Sequence, residues 1–202
     1  MRVAIIYATR EGQTRRIAEY LAGAFHSRDV QPEIFDARQT PDPDLEVYDA
    51  LVVAASVHIG KHEREMVRFV RRHRDALTRI PSAFLSVSMA QAGIEQPART
   101  DEQRQAARRE VDKVIARFLR DTGWSPRWLH PVAGALLYTR YNFLVRFIMK
   151  MISKASGGST DTSRDHEYTD WVGLERLVAT IIDELREAPT QPEVPSLRSP
   201  PL

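Results

Sequence analysis

The sequence predicts an α/β protein built on a doubly wound, five-stranded parallel sheet with strand order 2-1-3-4-5. Three observations lead to this prediction. Apolar runs bounded by turn residues alternate along the chain with segments of helical periodicity, as in βαβ units. The strand-like runs are apolar throughout, which is typical of parallel strands covered on both faces. A chain of 202 residues is long enough for one sizeable core.

The first part of the chain predicts three strands and two helices. Residues 3–8 and 50–55 are continuous apolar runs, and 31–35 is a shorter strand. Residues 14–25 and 66–77 repeat apolar side chains every three or four positions, which predicts amphipathic helices. The alternation of the two patterns continues in the second part.

The second part predicts strands at 83–87 and 129–137 and helices at 100–119 and 174–185. All nine elements belong to one predicted domain, residues 1–187. A helical insertion at 138–168 follows the fifth strand, although a sheet of this order does not need it. The last fifteen residues, 188–202, contain five prolines without periodicity, which predicts a disordered tail.

The amino-acid composition excludes several kinds of functional site. There is no cysteine, so disulfides, thiolate metal sites and cysteine nucleophiles are excluded. A net charge of +2 gives no global affinity for polyanions, so we expect no nucleic-acid partner. The start of the chain lacks a signal-peptide layout, and no apolar run has the roughly 18 residues of a membrane span, so we expect a cytoplasmic protein.

The turn after the first strand is the clearest candidate binding site. In this fold ligands bind outside the carboxyl ends of the strands, where strand order reverses. The turn lies at that point and leads into a helix, whose first N–H groups attract anions. It has one glycine, so it matches neither a Walker loop nor a dinucleotide fingerprint. The alternative is an ordinary turn with a capping threonine. The candidate residues are Thr9, Arg10, Glu11, Gly12, Gln13 and Thr14.

Longer segments support a family resemblance. The hydroxyl-rich turn resembles the FMN phosphate loop of flavodoxins. Three further segments are AASVHIGKHEREMVRFV (54–70), PSAFLSVSMA (81–90) and the segment 132–171, which contains SGGSTDT and YTDW. Together they resemble the flavodoxin-like, quinone-dependent protoporphyrinogen oxidases of haem synthesis, over most of residues 1–187. The resemblance implies that the turn binds the phosphate of FMN.

The resemblance also implies that the loops after the third and fourth strands flank the flavin ring. The tryptophan and tyrosine that often enclose this ring in carrier flavodoxins are missing from both loops, which leaves one ring face open to a bulky substrate. His58 and His62 are four residues apart but have no third ligand, so we predict no metal site. The flanking residues are Ser56, Val57, His58, Ile59, Gly60, Ser86, Val87, Ser88, Met89, Ala90 and Gln91.

The inserted segment combines a basic stripe with apolar stripes. Arg146, Lys150 and Lys154 are spaced by four residues, and Phe143, Phe147 and Met151 form a neighbouring apolar stripe. Such a helix can lie on an anionic membrane surface, which would place the protein at the inner face of the cell membrane. It can also cover a substrate pocket, form a homo-oligomer contact, or pack on the sheet as a core helix.

The activity that the resemblance implies is FMN-dependent oxidation of protoporphyrinogen IX to protoporphyrin IX, with menaquinone or ubiquinone as electron acceptor. Arginines suit the substrate's propionates, and Arg10, Arg140 and Arg146 are candidates by position. Three alternatives are a flavodoxin-type electron carrier, an NAD(P)H:quinone reductase and a catalytically silent interaction module. The sequence nominates no general base.

Overall fold

The computed structural model describes residues 1–96, 99–136 and 166–187 of the chain. Most of the predicted insertion and the predicted tail lie outside these residues. The strands are β1 Arg2–Ala8, β2 Gln31–Asp36, β3 Ala50–His58, β4 Lys61–His62, β5 Ser82–Ser88, β6 Trp128–Ala133, β7 Ala135–Leu136 and β8 His166–Glu167. The helices are α1 Gln13–His26, α2 Arg64–Arg72, α3 Arg74–Arg79, α4 Met89–Glu95, α5 Asp101–Thr122 and α6 Trp171–Glu187.

The main sheet has the predicted topology. Its order is β2-β1-β3-β5-β6, and all of these neighbours are parallel. When only the five parallel strands are counted, this is 2-1-3-4-5, so the predicted order is confirmed. Two short additions were not predicted: β4 pairs antiparallel with β3, and β7 pairs antiparallel with β8 in a separate ribbon.

Each face of the sheet has its own core. Val3 and Ile5 of β1 pack on one side with α1 and α6, whereas Ala4 and Ile6 pack on the other side with α2, α3 and α5. All four side chains are fully buried. Since successive residues of a strand point to opposite faces, helices on both faces require apolar residues at every position.

Two predicted elements are divided in the structure. The helix predicted at 66–77 is split into α2 and α3 at His73, which takes φ −101° and ψ 18°. The His73 ring lies 3.0 Å from the carbonyl oxygen of Pro41, a contact that side-chain periodicity cannot reveal. The strand predicted at 129–137 ends at Ala133, because Gly134 leaves the β5 register and β7 pairs with β8 instead.

Both ends of α5 carry residues that commonly terminate helices. Thr100 and Gln103 form a capping box at the start, and Gly123 ends the helix with φ 67°. A left-handed residue at this position is most easily supplied by glycine.

Among the described residues, no helix has the length and apolar character needed to cross a membrane.

A buried histidine belongs to the core under α5. The His62 side chain packs against the rings of Phe84 and Phe118, with centroid distances of 5.2 and 4.8 Å, and these two rings stack on each other at 4.4 Å. Its Nε2 is 2.9 Å from the hydroxyl of Ser86. Burial lowers the pKa of His62 from 6.5 to about 4, because the apolar surroundings disfavour the charged ring. The ring is therefore neutral in the folded protein at pH 7.

We predict that His62 makes the fold sensitive to acid. The pKa of His62 is lower in the folded state than in the unfolded state. The free energy of unfolding is therefore unaffected by His62 above pH 6.5, and it decreases as the pH falls from 6.5 to about 4. The expected loss at pH 5 is about 2 kcal/mol. Urea unfolding at pH 7.5 and pH 5 should show a smaller pH dependence for His62→Gln than for the wild-type protein.

The matched control is His26→Gln, since His26 is exposed at the end of α1. This variant should keep the wild-type pH dependence. An equal pH dependence in His62→Gln and wild-type protein would contradict the role of His62.

Candidate functional site

A cleft opens at the edge of the sheet where the parallel strands end. It lies beside the point where the chain order reverses, because β2 and β3 flank β1 on opposite sides. The lining residues come from the turn after β1, the ends of β3 and β5, the start of α4 and the segment after β6. They are Thr9, Glu11, Gln13, Thr14, Ser56, Val57, His58, Val87, Ser88, Met89, Gly134 and Ala135.

The cleft contains residues of the predicted turn after the first strand and of both predicted flanking loops. The other residues of these segments lie nearby in the chain but do not line the cleft wall; they are Arg10, Gly12, Ile59, Gly60, Ser86, Ala90 and Gln91. Gly134 and Ala135 were not predicted. The sequence predicts them inside the fifth strand at 129–137, whereas β6 ends at Ala133 and leaves them at the edge where the parallel strands end.

The turn after β1 is shaped by Gly12. Its backbone has φ 96° and ψ −7°, a left-handed conformation that glycine adopts without the steric cost of a side chain. The Gly12 N–H donates a hydrogen bond to the Thr9 hydroxyl oxygen at 3.1 Å. This bond closes the turn and leaves the hydroxyl hydrogen of Thr9 free to donate elsewhere.

The amino end of α1 fits a phosphate group. Gly12 is the N-cap residue, so no side chain caps the helix, and the first turn contains no acidic residue. The Thr14 hydroxyl is completely buried and has no hydrogen-bond partner within the described part of the chain. Buried hydroxyls are rarely left without a partner. An anion bound at the helix start would accept from this hydroxyl and from the backbone N–H groups.

The Gln13 side chain is held away from this position by the C-terminal segment. Its Nε2 donates to Glu167 Oε1 at 2.7 Å and to the Thr169 hydroxyl at 3.0 Å. The buried Thr169 hydroxyl in turn donates to the carbonyl oxygen of Ala133 at 2.9 Å. The YTDW element therefore supports the turn, a role that sequence reasoning did not assign to Thr169.

A buried carboxylate supports the turn from the other side. Arg10 Nε lies 2.9 Å from Glu63 Oε1, and the Glu63 side chain is only 1% exposed. The Ser56 hydroxyl donates to the same carboxylate at 3.4 Å. The bond to Glu63 holds the pKa of the Arg10 guanidinium above its usual value. The ion pair connects the turn after β1 to the end of β3 and the start of α2.

The two predicted flanking loops are shorter than expected. Residues 56–58 complete β3, and only Ile59 and Gly60 form a turn before β4. Residues 86–88 complete β5, and α4 begins at once at Met89. The Ser88 hydroxyl accepts from the Gln91 N–H at 3.2 Å and so caps α4. Both segments are thus rigid walls, because strand pairing and a helix cap fix them.

The histidines near the cleft do not form a metal site. His58 Nδ1 lies 3.7 Å from Glu11 Oε1 across the cleft mouth, whereas His62 is buried in the core. Within the described ranges, no group of three or more His, Asp or Glu residues is placed to bind a metal ion. The described cleft wall also contains no tryptophan, tyrosine or phenylalanine.

The other candidates lie outside the described residues. They are the substrate arginines Arg140 and Arg146 and the stripe residues Phe143, Phe147, Lys150, Met151 and Lys154.

Comparisons with known proteins agree with the fold. A family model described as a flavodoxin domain matches residues 4–163. Protoporphyrinogen IX dehydrogenase (quinone) of Escherichia coli K12 is 36% identical over 94% of this chain and 99% of its own length. The Leishmania major protein of the same name is 26% identical over 97% of this chain and 81% of its own.

Among solved structures, oxidised flavodoxin 1 from Bacillus cereus aligns with a TM-score of 0.51 and 15% identity, over 91% of this chain and 98% of that one. This likeness supports the fold. The chain belongs to the flavodoxin domain family and, within it, to the family of the quinone-dependent protoporphyrinogen IX dehydrogenases.

Proposed function

We propose that the protein oxidises protoporphyrinogen IX to protoporphyrin IX with FMN as cofactor and a quinone as electron acceptor. The observation that carries this proposal is the buried Thr14 hydroxyl at the uncapped start of α1, which lies beside an open cleft and has no partner in the described part of the chain. Flavodoxin domain membership implies FMN as the cofactor. The substrate and the acceptor come from the names of the relatives.

FMN, when bound, supplies the redox chemistry. The turn after β1 would hold its phosphate through the Thr14 hydroxyl and the backbone N–H groups at the start of α1. The ends of β3 and β5, with His58 and Met89 in the cleft wall, would hold the ring. Since the described wall carries no large aromatic side chain, these residues leave room for a bulky substrate.

The overall reaction balances with three quinone molecules for each porphyrinogen. The substrate loses six hydrogens, and each quinone gains two hydrogens to form a quinol. The protein contributes binding and orientation, and the acceptor that we propose is menaquinone or ubiquinone.

Substrate carboxylates would be bound by arginine. Arg10 is half exposed and contacts Glu63 through Nε, so its terminal nitrogens, which have no hydrogen-bond partner among the described residues, can donate to a propionate. Arg140 and Arg146 stay candidates by sequence position. We further propose that the basic and apolar stripes of the inserted segment bring the protein to the inner face of the membrane, where quinones are dissolved.

The first prediction from this proposal concerns turnover. FMN-loaded protein mixed anaerobically with protoporphyrinogen IX should lose its oxidised-flavin absorbance while porphyrin fluorescence appears. Adding a quinone should restore the flavin absorbance. Flavin reduction by NAD(P)H, with none by the porphyrinogen, would contradict the proposal and identify an NAD(P)H:quinone reductase.

The second prediction concerns Thr14. The substitution Thr14→Val keeps the side-chain volume but removes the hydroxyl, and hydrogen bonds to charged groups contribute about 1.5–3 kcal/mol. FMN affinity measured by fluorescence quenching should fall roughly 10- to 150-fold. The apoprotein should be at least as thermally stable as the wild-type apoprotein, because the lost hydroxyl is buried and has no partner among the described residues.

Thr180→Val is the matched control, since the Thr180 hydroxyl donates to the Arg176 carbonyl oxygen on an exposed part of α6. Its FMN affinity should equal that of the wild-type protein. Unchanged affinity in Thr14→Val would place the phosphate elsewhere.

A further inference from the structure

The tip of the β3–β4 hairpin carries an exposed isoleucine in a strained backbone conformation. Ile59 has φ 48° and Gly60 has φ 67°, so both turn residues are left-handed. Turns of this kind favour asparagine, aspartate or glycine at both positions, and a β-branched residue there is strained. The Ile59 side chain is nevertheless 88% exposed. Neither local conformation nor burial accounts for an isoleucine at this tip.

A basic groove begins directly beside this tip. It runs between α2 and α5 and has a volume of about 230 Å³. Val67, Val114 and Phe118 provide apolar surface in it. Its charged lining residues are Lys61, Arg64, Arg68, Arg71, Arg117 and Asp121. Five cations therefore face one carboxylate.

The cations at the mouth of the groove form no ion pair with the described residues. Arg71 donates to the Asp121 carbonyl oxygen at 2.7 Å, and Arg117 pairs with the Asp121 carboxylate at 3.5 Å, so the far end is internally satisfied. Lys61, Arg64 and Arg68 are exposed and make no ion pair with any residue that the structure describes. The mouth of the basic groove thus places three exposed cations near Ile59, where they outnumber the Glu110 carboxylate, whose Oε1 lies 3.8 Å from the position that a Cβ of Gly60 would take.

The groove is too small for a whole tetrapyrrole or a whole lipid. Pockets that enclose drug-sized ligands usually measure about 300–1,000 Å³, so 230 Å³ suits one anionic headgroup whose apolar body remains outside. An apolar tip beside unpaired cations is the combination that binds the interface of an anionic bilayer, with the apolar group inserted and the cations at the phosphates.

We propose that the hairpin tip and the mouth of the basic groove form a docking edge for an anionic lipid bilayer. Ile59 enters the interface, and Lys61, Arg64 and Arg68 bind lipid phosphates. Lys61 is the cross-strand partner of His58, which lines the cleft. The docked membrane therefore lies next to the cleft mouth, where a lipophilic quinone leaves the bilayer. This inference rests on the peripheral membrane association proposed above and assigns it to described residues.

The test is co-sedimentation of the FMN-loaded protein with phosphatidylcholine vesicles that contain or lack phosphatidylglycerol. The triple variant Lys61→Gln, Arg64→Gln, Arg68→Gln should bind the anionic vesicles roughly 100-fold more weakly than wild-type protein. Ile59→Asn should bind them roughly tenfold more weakly. Its melting temperature should rise, because asparagine tolerates the left-handed conformation. If Ile59→Asn raises the melting temperature and weakens vesicle binding, the loss of binding cannot be explained by unfolding, and Ile59 acts in docking.

Two control variants test specificity. Arg109→Gln, Lys113→Gln, Arg120→Gln removes the same charge from exposed positions of α5 outside the groove. Val47→Asn removes a 44% exposed apolar side chain that precedes β3, at the opposite edge of the sheet. Both controls should bind the vesicles within about twofold of the wild-type protein.

The outcomes are distinguishable. If wild-type protein binds anionic vesicles and the edge variants bind equally well, or if the charge control loses as much binding, the docking edge is wrong while peripheral association stands. If wild-type protein binds no vesicles, peripheral association is wrong as well. The assay contains neither porphyrinogen nor quinone, so its result is independent of the proposed oxidation.

Discussion

The cleft depends on one constraint, the incomplete hydrogen bonding at the start of α1. Gly12 begins the helix without a capping side chain, and the buried Thr14 hydroxyl finds no partner among the described residues. Burying a hydroxyl without a partner costs about 1–3 kcal/mol in proteins. A bound anion removes that cost and interacts with the positive end of the helix dipole. The same feature that weakens the unliganded fold locally therefore favours the liganded one.

The turn can hold this arrangement because both of its flanks are fixed by long-range contacts. Arg10 reaches the buried Glu63 carboxylate, and Gln13 reaches Glu167 and Thr169. Removing Arg10 would leave the buried Glu63 carboxylate without its cation, a destabilising change that the half-exposed position of Arg10 reduces through solvent screening. Both contacts join the turn after β1 to segments that are distant in the chain, so the turn is held in place before a ligand binds.

The acid sensitivity expected of His62 belongs to the same region of the fold. Val57 lines the cleft, and its cross-strand partner His62 is buried in the core under α5. The short hairpin thereby contributes to three features at once. His58 faces the cleft, His62 fills the core, and Ile59 projects into solvent.

The parts of the fold that depend on periodicity were predictable from the sequence. The apolar run of β1 and the stripe of α1 identify their elements, and the order of the sheet follows from their alternation. The two-residue strand β4 and the seven-residue helix α4 were not predictable, because each is too short to show a period. The flanking segments were therefore expected as loops, although strand pairing and the Ser88 cap make them rigid.

The candidate site was predictable as a location and only partly as a set of contacts. Gly12 and the hydroxyls of Thr9 and Thr14 identify the turn from its composition. The partner of Arg10 lies 53 residues away in the chain, and Gln13 pairs across 154 residues. Pairings at such separations depend on how the elements pack, so one sequence without its fold cannot reveal them.

The most direct test of the central claim compares FMN with riboflavin, which lacks the phosphate, as ligands of the wild-type apoprotein. If the start of α1 binds the phosphate, titration calorimetry should give an FMN affinity on the order of 100-fold or more above that of riboflavin. The difference should shrink as salt screens the phosphate. Equal affinities for the two flavins would contradict the account, because the turn after β1 would then contribute nothing to binding.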